Sequence, residues 1–151
     1  MLPPSGRAHY RLLAYISELY NEEVLFDVGT NAARSAIALT YSGKNKIKTY
    51  DVLQVLEQNP SLENVEYVIG DSTKDKELDI SPFIILDVNH DGSYENYFYN
   101  HLKAIKWNGI LLLDDIHLNE SMKMFWSSIV EEKKDITNLG SWSGTGIVLF
   151  D

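Results

Sequence analysis

The sequence has no cysteine among its 151 residues. That absence excludes disulfide bonds, thiolate metal sites and cysteine nucleophiles, and it is consistent with a reducing compartment. No apolar run approaches the roughly 18 residues that a transmembrane helix needs. The opening segment MLPPSGRAHY lacks the apolar core of a signal peptide. We therefore expect a cytoplasmic protein with no membrane partner.

Basic residues are also scarce, with 13 lysines and arginines against 22 acidic residues and a net charge of −9. A charge of this sign repels a phosphate backbone, so we expect no nucleic-acid partner. The length fits one domain with one core. We assign residues 1–151 to a single domain, in which 1–22 form an N-terminal helical segment and 23–151 form the core.

Apolar runs of strand length alternate with helical patterns along the chain. Alternation of this kind predicts an α/β fold, with a parallel sheet covered by helices on both faces. The predicted strands are 23–28, 46–51, 65–71, 82–88 and 110–115, with two more around a glycine-rich turn in 135–151. The predicted helices are 7–20, 32–43, 52–58, 93–105 and 120–134, and 73–81 is a polar connection.

The segment LFDVGTNAARSAIAL, residues 25–39, looks like the start of a nucleotide-binding fold. A dinucleotide fingerprint has three glycines at this point, and the segment has only Gly29. A pyrophosphate prefers a bare helix N-terminus, so the segment disfavours a nicotinamide dinucleotide.

Each of the five predicted strands has an acidic residue at its end or one position before it. Right-handed crossovers place the carboxyl ends of parallel strands at one edge of the sheet, where ligands of such folds bind. A ring of carboxylates without basic partners suits a cationic, hydroxyl-rich or metal-bearing ligand. The acids are Asp27, Asp51, Asp71, Asp87 and the pair Asp114-Asp115.

Two later motifs, DVNHDGSYE (87–95) and LLLDDIH (111–117), complete a pattern with these acids. From about Glu23 to its end, the chain resembles the class I S-adenosylmethionine-dependent methyltransferases, and it is similar to their compact, methyltransferase-24-like subgroup. The resemblance implies a Rossmann-like, mostly parallel seven-stranded sheet with an antiparallel C-terminal strand. It also implies S-adenosylmethionine as the cofactor.

The resemblance assigns cofactor-binding roles to residues at the sheet edge. Asp51 would accept hydrogen bonds from the ribose hydroxyls, Asp27 would lie near the methionine amine, and Gly29 would let the backbone approach the ligand. Asp71 and Ser72 would lie near the adenine. The full set that we predict is Asp27, Gly29, Asn31, Ser35, Asp51, Val52, Asp71, Ser72 and Asp87. Asp51 and Asp71 have an alternative role as helix caps, and Ser35 has an alternative role in packing.

A metal site and a catalytic base are also implied. Asp87, Asp114 and Asp115 resemble the acidic triad that holds Mg²⁺ in catechol-type and sugar O-methyltransferases. Asn89 stands where the sugar enzymes have an acidic base, so we predict His90 as the base, aided by Asp87. Alternatively, the three acids only cap and orient loops, and His90 only supports its own loop.

His117 is a second candidate ligand or base, whereas His9 and His101 have no predicted role. The predicted function is O-methylation of a small molecule or sugar, assisted by a divalent metal such as Mg²⁺. The alternative is a catalytically weak or inactive module that binds S-adenosylmethionine or S-adenosylhomocysteine. A homo-oligomer is compatible with the short chain.

Overall fold

The computed structural model describes residues 4–30, 33–52 and 61–151. Its helices are α1 (Pro4–Glu18), α2 (Arg34–Leu39), α3 (Ser93–Ala104) and α4 (Glu120–Ser128). Its strands are β1 (Val24–Val28), β2 (Lys46–Asp51), β3 (Val65–Ile69), β4 (Phe83–Leu86), β5 (Gly109–Asp114), β6 (Glu132–Asp135) and β7 (Thr145–Phe150). Short 3-10 helices span Ser72–Lys74, Leu78–Ile80 and Thr137–Leu139. None of the described helices has the length and apolar character needed to cross a membrane.

The strands form one seven-stranded sheet in the order β3-β2-β1-β4-β5-β7-β6. Strands β1 to β5 pair in parallel, and β7 runs antiparallel to β5 and β6. This arrangement confirms the predicted α/β sheet with its antiparallel C-terminal strand. The chain order changes direction between β1 and β4, so a crevice opens at the carboxyl ends of these two strands.

Two apolar layers cover the sheet because successive side chains of a strand point to opposite faces. Phe26 and Val28 of β1 pack in one layer with residues of α3 and α4. Leu25 packs in the other layer with Leu13 of α1 and Leu39 of α2. The predicted placement of helices on both faces is therefore confirmed.

The predicted helix over 120–134 is wrong in its second half, because α4 ends at Ser128 and β6 follows at Glu132. Ile129 is extended, and the Lys133 ammonium donates to the carbonyls of Trp126 (2.6 Å) and Ile129 (2.9 Å) at the end of α4. The Glu and Lys residues of 131–134 favour a helix locally. Pairing with β7 outweighs that preference and forms a charged edge strand. The predicted helix 52–58 lies outside the described residues, apart from Val52.

Candidate active site

A cleft of about 200 Å³ opens at the carboxyl ends of β1, β2 and β4. This is the point where the strand order reverses, as expected for a ligand site in an open α/β sheet. The described residues of its wall include Gly29, Asp51, Val52, Asp87, His90 and Tyr94. Four predicted cofactor residues, namely Gly29, Asp51, Val52 and Asp87, therefore surround one cavity.

Asp51 and Val52 form the wall of the cleft at the end of β2. The Asp51 carboxylate accepts a hydrogen bond of 2.8 Å from the Val52 backbone N–H, which holds the carboxylate at the mouth of the cleft. The Val52 side chain is 59% exposed and lies beside it. This pair offers an acceptor for hydroxyl groups next to an apolar surface for a planar ring.

Gly29 has a structural requirement in addition to its predicted role. It has a φ of +111°, and a Cβ atom there would lie 1.8 Å from the Asp87 carbonyl oxygen. The loop after β1 therefore packs directly against the end of β4, and that contact by itself demands glycine. The approach of a ligand to this glycine stays a prediction.

Three side chains converge opposite Asp51. The Nε2 atom of His90 lies 3.1 Å from Asp87 Oδ1 and 3.2 Å from Asp115 Oδ2. One donor atom from each of the three residues lies within 4.8 Å of the other two. His90 and Asp115 both have left-handed backbones, with φ of 59° each. Such conformations cost about 1–3 kcal/mol and concentrate at functional sites.

Two side chains of the neighbouring helices fix the His90 loop. Glu95 of α3 is buried, and its Oε1 accepts a 2.8 Å hydrogen bond from the His90 N–H. The Asn119 Nδ2 donates to the His90 carbonyl at 2.7 Å, while its Oδ1 accepts from the Met122 N–H and caps α4. The imidazole is therefore oriented by both helices that flank the site.

Several carboxylates lie close together at this edge, and their charges shift the pKa values of neighbouring groups. The hydrogen bond that the His90 imidazole donates to the Asp87 carboxylate, together with the nearby acidic charges, raises the pKa of His90. Burial, and then the charges of Asp87 and Asp115, raises the pKa of Asp114 to about 7. The Asp114 carboxylate accepts from Ser141 Oγ at 2.8 Å. The sequence predicted a cluster of Asp87, Asp114 and Asp115. Among the described residues the structure instead brings together Asp87, His90 and Asp115.

Four predicted cofactor residues do not belong to the described wall of the cleft. Ser35 and Ser72 are buried, with exposed fractions of 8% and 0%. Asp71 caps the 3-10 helix Ser72–Lys74, and its carboxylate accepts from the Thr73 N–H (3.0 Å) and the Tyr97 hydroxyl (2.9 Å). Its capping alternative is therefore observed. Asn31 lies outside the described residues.

Asp27 is the fourth of these residues, and it lies within β1 rather than at its end. Its side chain is fully buried, and its Oδ2 accepts a 2.8 Å hydrogen bond from the Thr49 hydroxyl. Burial raises the pKa of Asp27 to about 8, since the hydrogen bond from Thr49 only partly offsets the loss of solvation. At neutral pH this carboxyl is therefore protonated in the folded protein.

The variant Asp27→Asn is expected to make stability less dependent on pH. Between pH 4 and 8 the folded chain keeps the proton on Asp27 and the unfolded chain does not. The free energy of unfolding of the unmodified protein therefore falls by up to about 1.4 kcal/mol per pH unit from this group. Asparagine resembles the protonated acid. The free energy of unfolding of the variant, relative to that of the unmodified protein, should therefore rise from pH 5 to pH 8 in urea denaturation. Asp151→Asn removes an exposed charge as a control, and an advantage that does not change with pH would contradict the burial argument.

His9 of α1, for which the sequence predicted no role, is buried. Its side chain is 6% exposed, and its Nδ1 has no hydrogen-bond partner among the described residues. Burial lowers the pKa of His9, while the charges of Asp87 and Asp115 act in the opposite direction. His9 shares a helical face with Leu13 and Ile16, and that spacing could have indicated its burial. The other candidate, His117, is bound to Asp135 at 2.6 Å instead.

No protein-family model and no curated protein matches the sequence. Solved structures do match its fold. Cofactor-bound Rv0187 from MTB aligns with a TM-score of 0.69 and 11% identity, over 93% of this chain and 78% of that one. The O-methyltransferase TomG from Streptomyces achromogenes, in complex with S-adenosylmethionine, aligns with a TM-score of 0.64 and 12% identity, over 94% and 79%. The S-adenosylhomocysteine-bound methyltransferase PaMTH1 from Podospora anserina aligns with 0.64 and 13%, over 94% and 77%.

This is the class I methyltransferase fold. In the methyltransferase fold of this chain, the cleft lies between β1 and β4, and the Asp87–His90–Asp115 cluster lies at its β4–β5 side. Gly29, in the loop after β1, packs against the Asp87 backbone at this cleft. The Rossmann-like sheet that the alternation of strands and helices and the resemblance predicted is confirmed.

Proposed function

We propose that the protein is an S-adenosylmethionine-dependent methyltransferase that methylates a hydroxyl group of a small molecule or sugar with the help of a divalent cation. The observation that carries the proposal is that Asp51, Asp87 and His90 line one cleft, with Asp115 beside His90. The shared fold adds support, because two structural neighbours are described as complexes with S-adenosylmethionine or S-adenosylhomocysteine.

The cofactor would lie with its adenosyl part at the end of β2. The Asp51 carboxylate would accept from both ribose hydroxyls, and Val52 would contact the adenine. The methionine part would follow the backbone of Gly29 toward Asp87, and the methyl group would then face the cluster. The acidic edge suits this ligand, which carries a sulfonium and an amine and has no phosphate.

The cluster fits a divalent cation. Ligands bound to one ion at about 2.1 Å lie within about 4.2 Å of one another, and the three donor atoms are close to that arrangement. Asp87, His90 and Asp115 would hold the ion, which when bound lowers the pKa of an acceptor hydroxyl. Because one donor is an imidazole, we expect Mn²⁺ or Co²⁺ to bind better than Mg²⁺.

The chain's own residues orient the acceptor and keep water away from it. Glu95 and Asn119 hold the His90 loop, so the imidazole stays beside Asp87 and Asp115 whether or not a cation is bound. Without a cation, His90 Nε2 would take the proton of the acceptor hydroxyl, and Asp87 and Asp115 would stabilise the resulting imidazolium. Alignment of the methyl group with the acceptor oxygen supplies the rest of the rate enhancement.

The test is S-adenosylhomocysteine formation from S-adenosylmethionine with a panel of catechols, hydroxybenzoates and sugars. We expect turnover that a chelator abolishes and that Mn²⁺ restores about tenfold better than Mg²⁺, because of the imidazole donor. Turnover that survives chelation would assign His90 as the base instead of a ligand. Binding of S-adenosylhomocysteine without any turnover would contradict the proposed enzymatic activity and favour a cofactor-binding module.

The cytoplasmic location, the lack of a nucleic-acid partner and the homo-oligomer stay predictions.

A further inference from the structure

A second and larger cavity lies outside the cleft, in the groove between α1 and α2. Its volume is about 580 Å³, and its described walls include Arg7, Tyr10, Arg11, Arg34, Ile37 and Tyr41. A volume of this size falls within the range of small-molecule sites in proteins. We call this cavity the arginine groove.

The arginine groove contains every arginine of the sequence. This concentration stands out in a chain with a net charge of −9. All three side chains are exposed, and across the described residues none of them takes part in an ion pair. Within α1 and α2 the sole acidic residue is Glu18, at the end of α1. The groove is therefore a cationic site on an acidic protein, and it complements an anion.

Apolar and aromatic side chains fill the space between the guanidinium groups. Tyr41 is 72% exposed and Ile37 is 43% exposed, and Tyr10 is half-buried against the apolar layer beneath α1 and α2. Guanidinium groups bind carboxylates and phosphates through paired hydrogen bonds, and aromatic rings stack on planar ligands. The lining thus matches a small molecule with a planar apolar body and one anionic group.

The arginine groove begins beside the active-site cleft. Arg34 is the first residue of α2 and lines the groove, whereas Gly29, five residues earlier in the loop after β1, lines the cleft. Gly29 packs against the backbone of Asp87, which belongs to the cation cluster. A ligand anchored at Arg34 can therefore extend toward the place where the methyl group would be transferred.

We propose that the arginine groove anchors the methyl acceptor, and that the acceptor is an aromatic compound bearing a carboxylate or a phosphate group. This inference rests on the proposed methyltransferase function, and it names the substrate class of that function. The acceptor's anion binds Arg7, Arg11 and Arg34, its ring lies against Tyr10 and Tyr41, and its hydroxyl points toward Asp87.

Binding of simple probes to the full chain tests the groove without any methyl transfer. The probes are phenyl phosphate, benzoate, inorganic phosphate and neutral phenol, titrated in nuclear magnetic resonance experiments. The double variant Arg7→Gln/Arg11→Gln removes two groove charges. Lys123→Gln/Lys134→Gln removes the same charge from exposed positions outside the groove. S-adenosylhomocysteine affinity is measured for every protein.

We expect an aromatic anion to bind at least about tenfold more tightly than phenol, and the arginine variant to lose about tenfold of that affinity. The lysine variant should bind like the unmodified protein, and the cofactor affinity should stay within about twofold in both variants. Whichever of phenyl phosphate and benzoate binds more tightly identifies the anionic group of the acceptor. Equal binding of phenol and the anions, or a groove variant that binds like the unmodified protein, would overturn the proposal. Retained cofactor binding in that case would leave the methyltransferase function untouched.

Discussion

Gly29→Ala is expected to destabilise the protein by about 3–5 kcal/mol, a large part of the total stability of a domain of this size. The added Cβ would lie 1.8 Å from the Asp87 carbonyl oxygen, far inside van der Waals contact. The φ of +111° adds strain for any residue with a Cβ. Relief of the clash requires the loop after β1 or the end of β4 to move, which would also displace the Asp87 side chain.

Gly43→Ala is the matched control. Gly43 also has a positive φ, of +68°, but a Cβ there would meet nothing within 4 Å. This variant should lose only about 1 kcal/mol, which is the cost of the backbone conformation. Urea denaturation of both variants gives the difference in the free energy of unfolding. Two variants of equal stability would contradict the close contact between Gly29 and the end of β4.

Asp51→Ala is expected to weaken S-adenosylhomocysteine binding by about 100-fold. The ribose hydroxyls would lose a charged acceptor, and each hydrogen bond to a charged group contributes about 1.5–3 kcal/mol. Asp51→Asn keeps one acceptor oxygen and should lose only about tenfold. Calorimetric titration with S-adenosylhomocysteine measures both losses.

Asp151→Ala serves as the control for the Asp51 variants. Asp151 is exposed, and it follows Phe150, which pairs with Gly109 at the start of β5. This end of the strands lies opposite the carboxyl ends that form the cleft. The control removes the same charge without touching the cleft, so its affinity should equal that of the unmodified protein. An Asp51→Ala variant with unchanged affinity would show that the ribose lies elsewhere.

The architecture could be predicted from the sequence because its signals are local. Each strand of the parallel region is a short apolar run that ends near an acid, and the alternation with helices sets the sheet. β6 was missed because its residues favour a helix, and only pairing with β7 makes them a strand.

The candidate site was predictable only in part, since its contacts join distant parts of the chain. Asp114 lies at the end of β5 as predicted, but the hydroxyl of Ser141, 27 residues later, donates to its carboxylate. Gly29 is set by the Asp87 backbone, 58 positions further along the chain. Local patterns therefore indicated the edge of the sheet, while tertiary packing decided which side chains meet there.

The most direct test of the account is a calorimetric titration of the unmodified protein with S-adenosylhomocysteine. A site formed by Asp51, Val52 and the Gly29 loop predicts one ligand per chain, with a dissociation constant of about 1–100 µM. The absence of binding at about 1 mM ligand would contradict the account, because the acidic edge would then not be an adenosyl site.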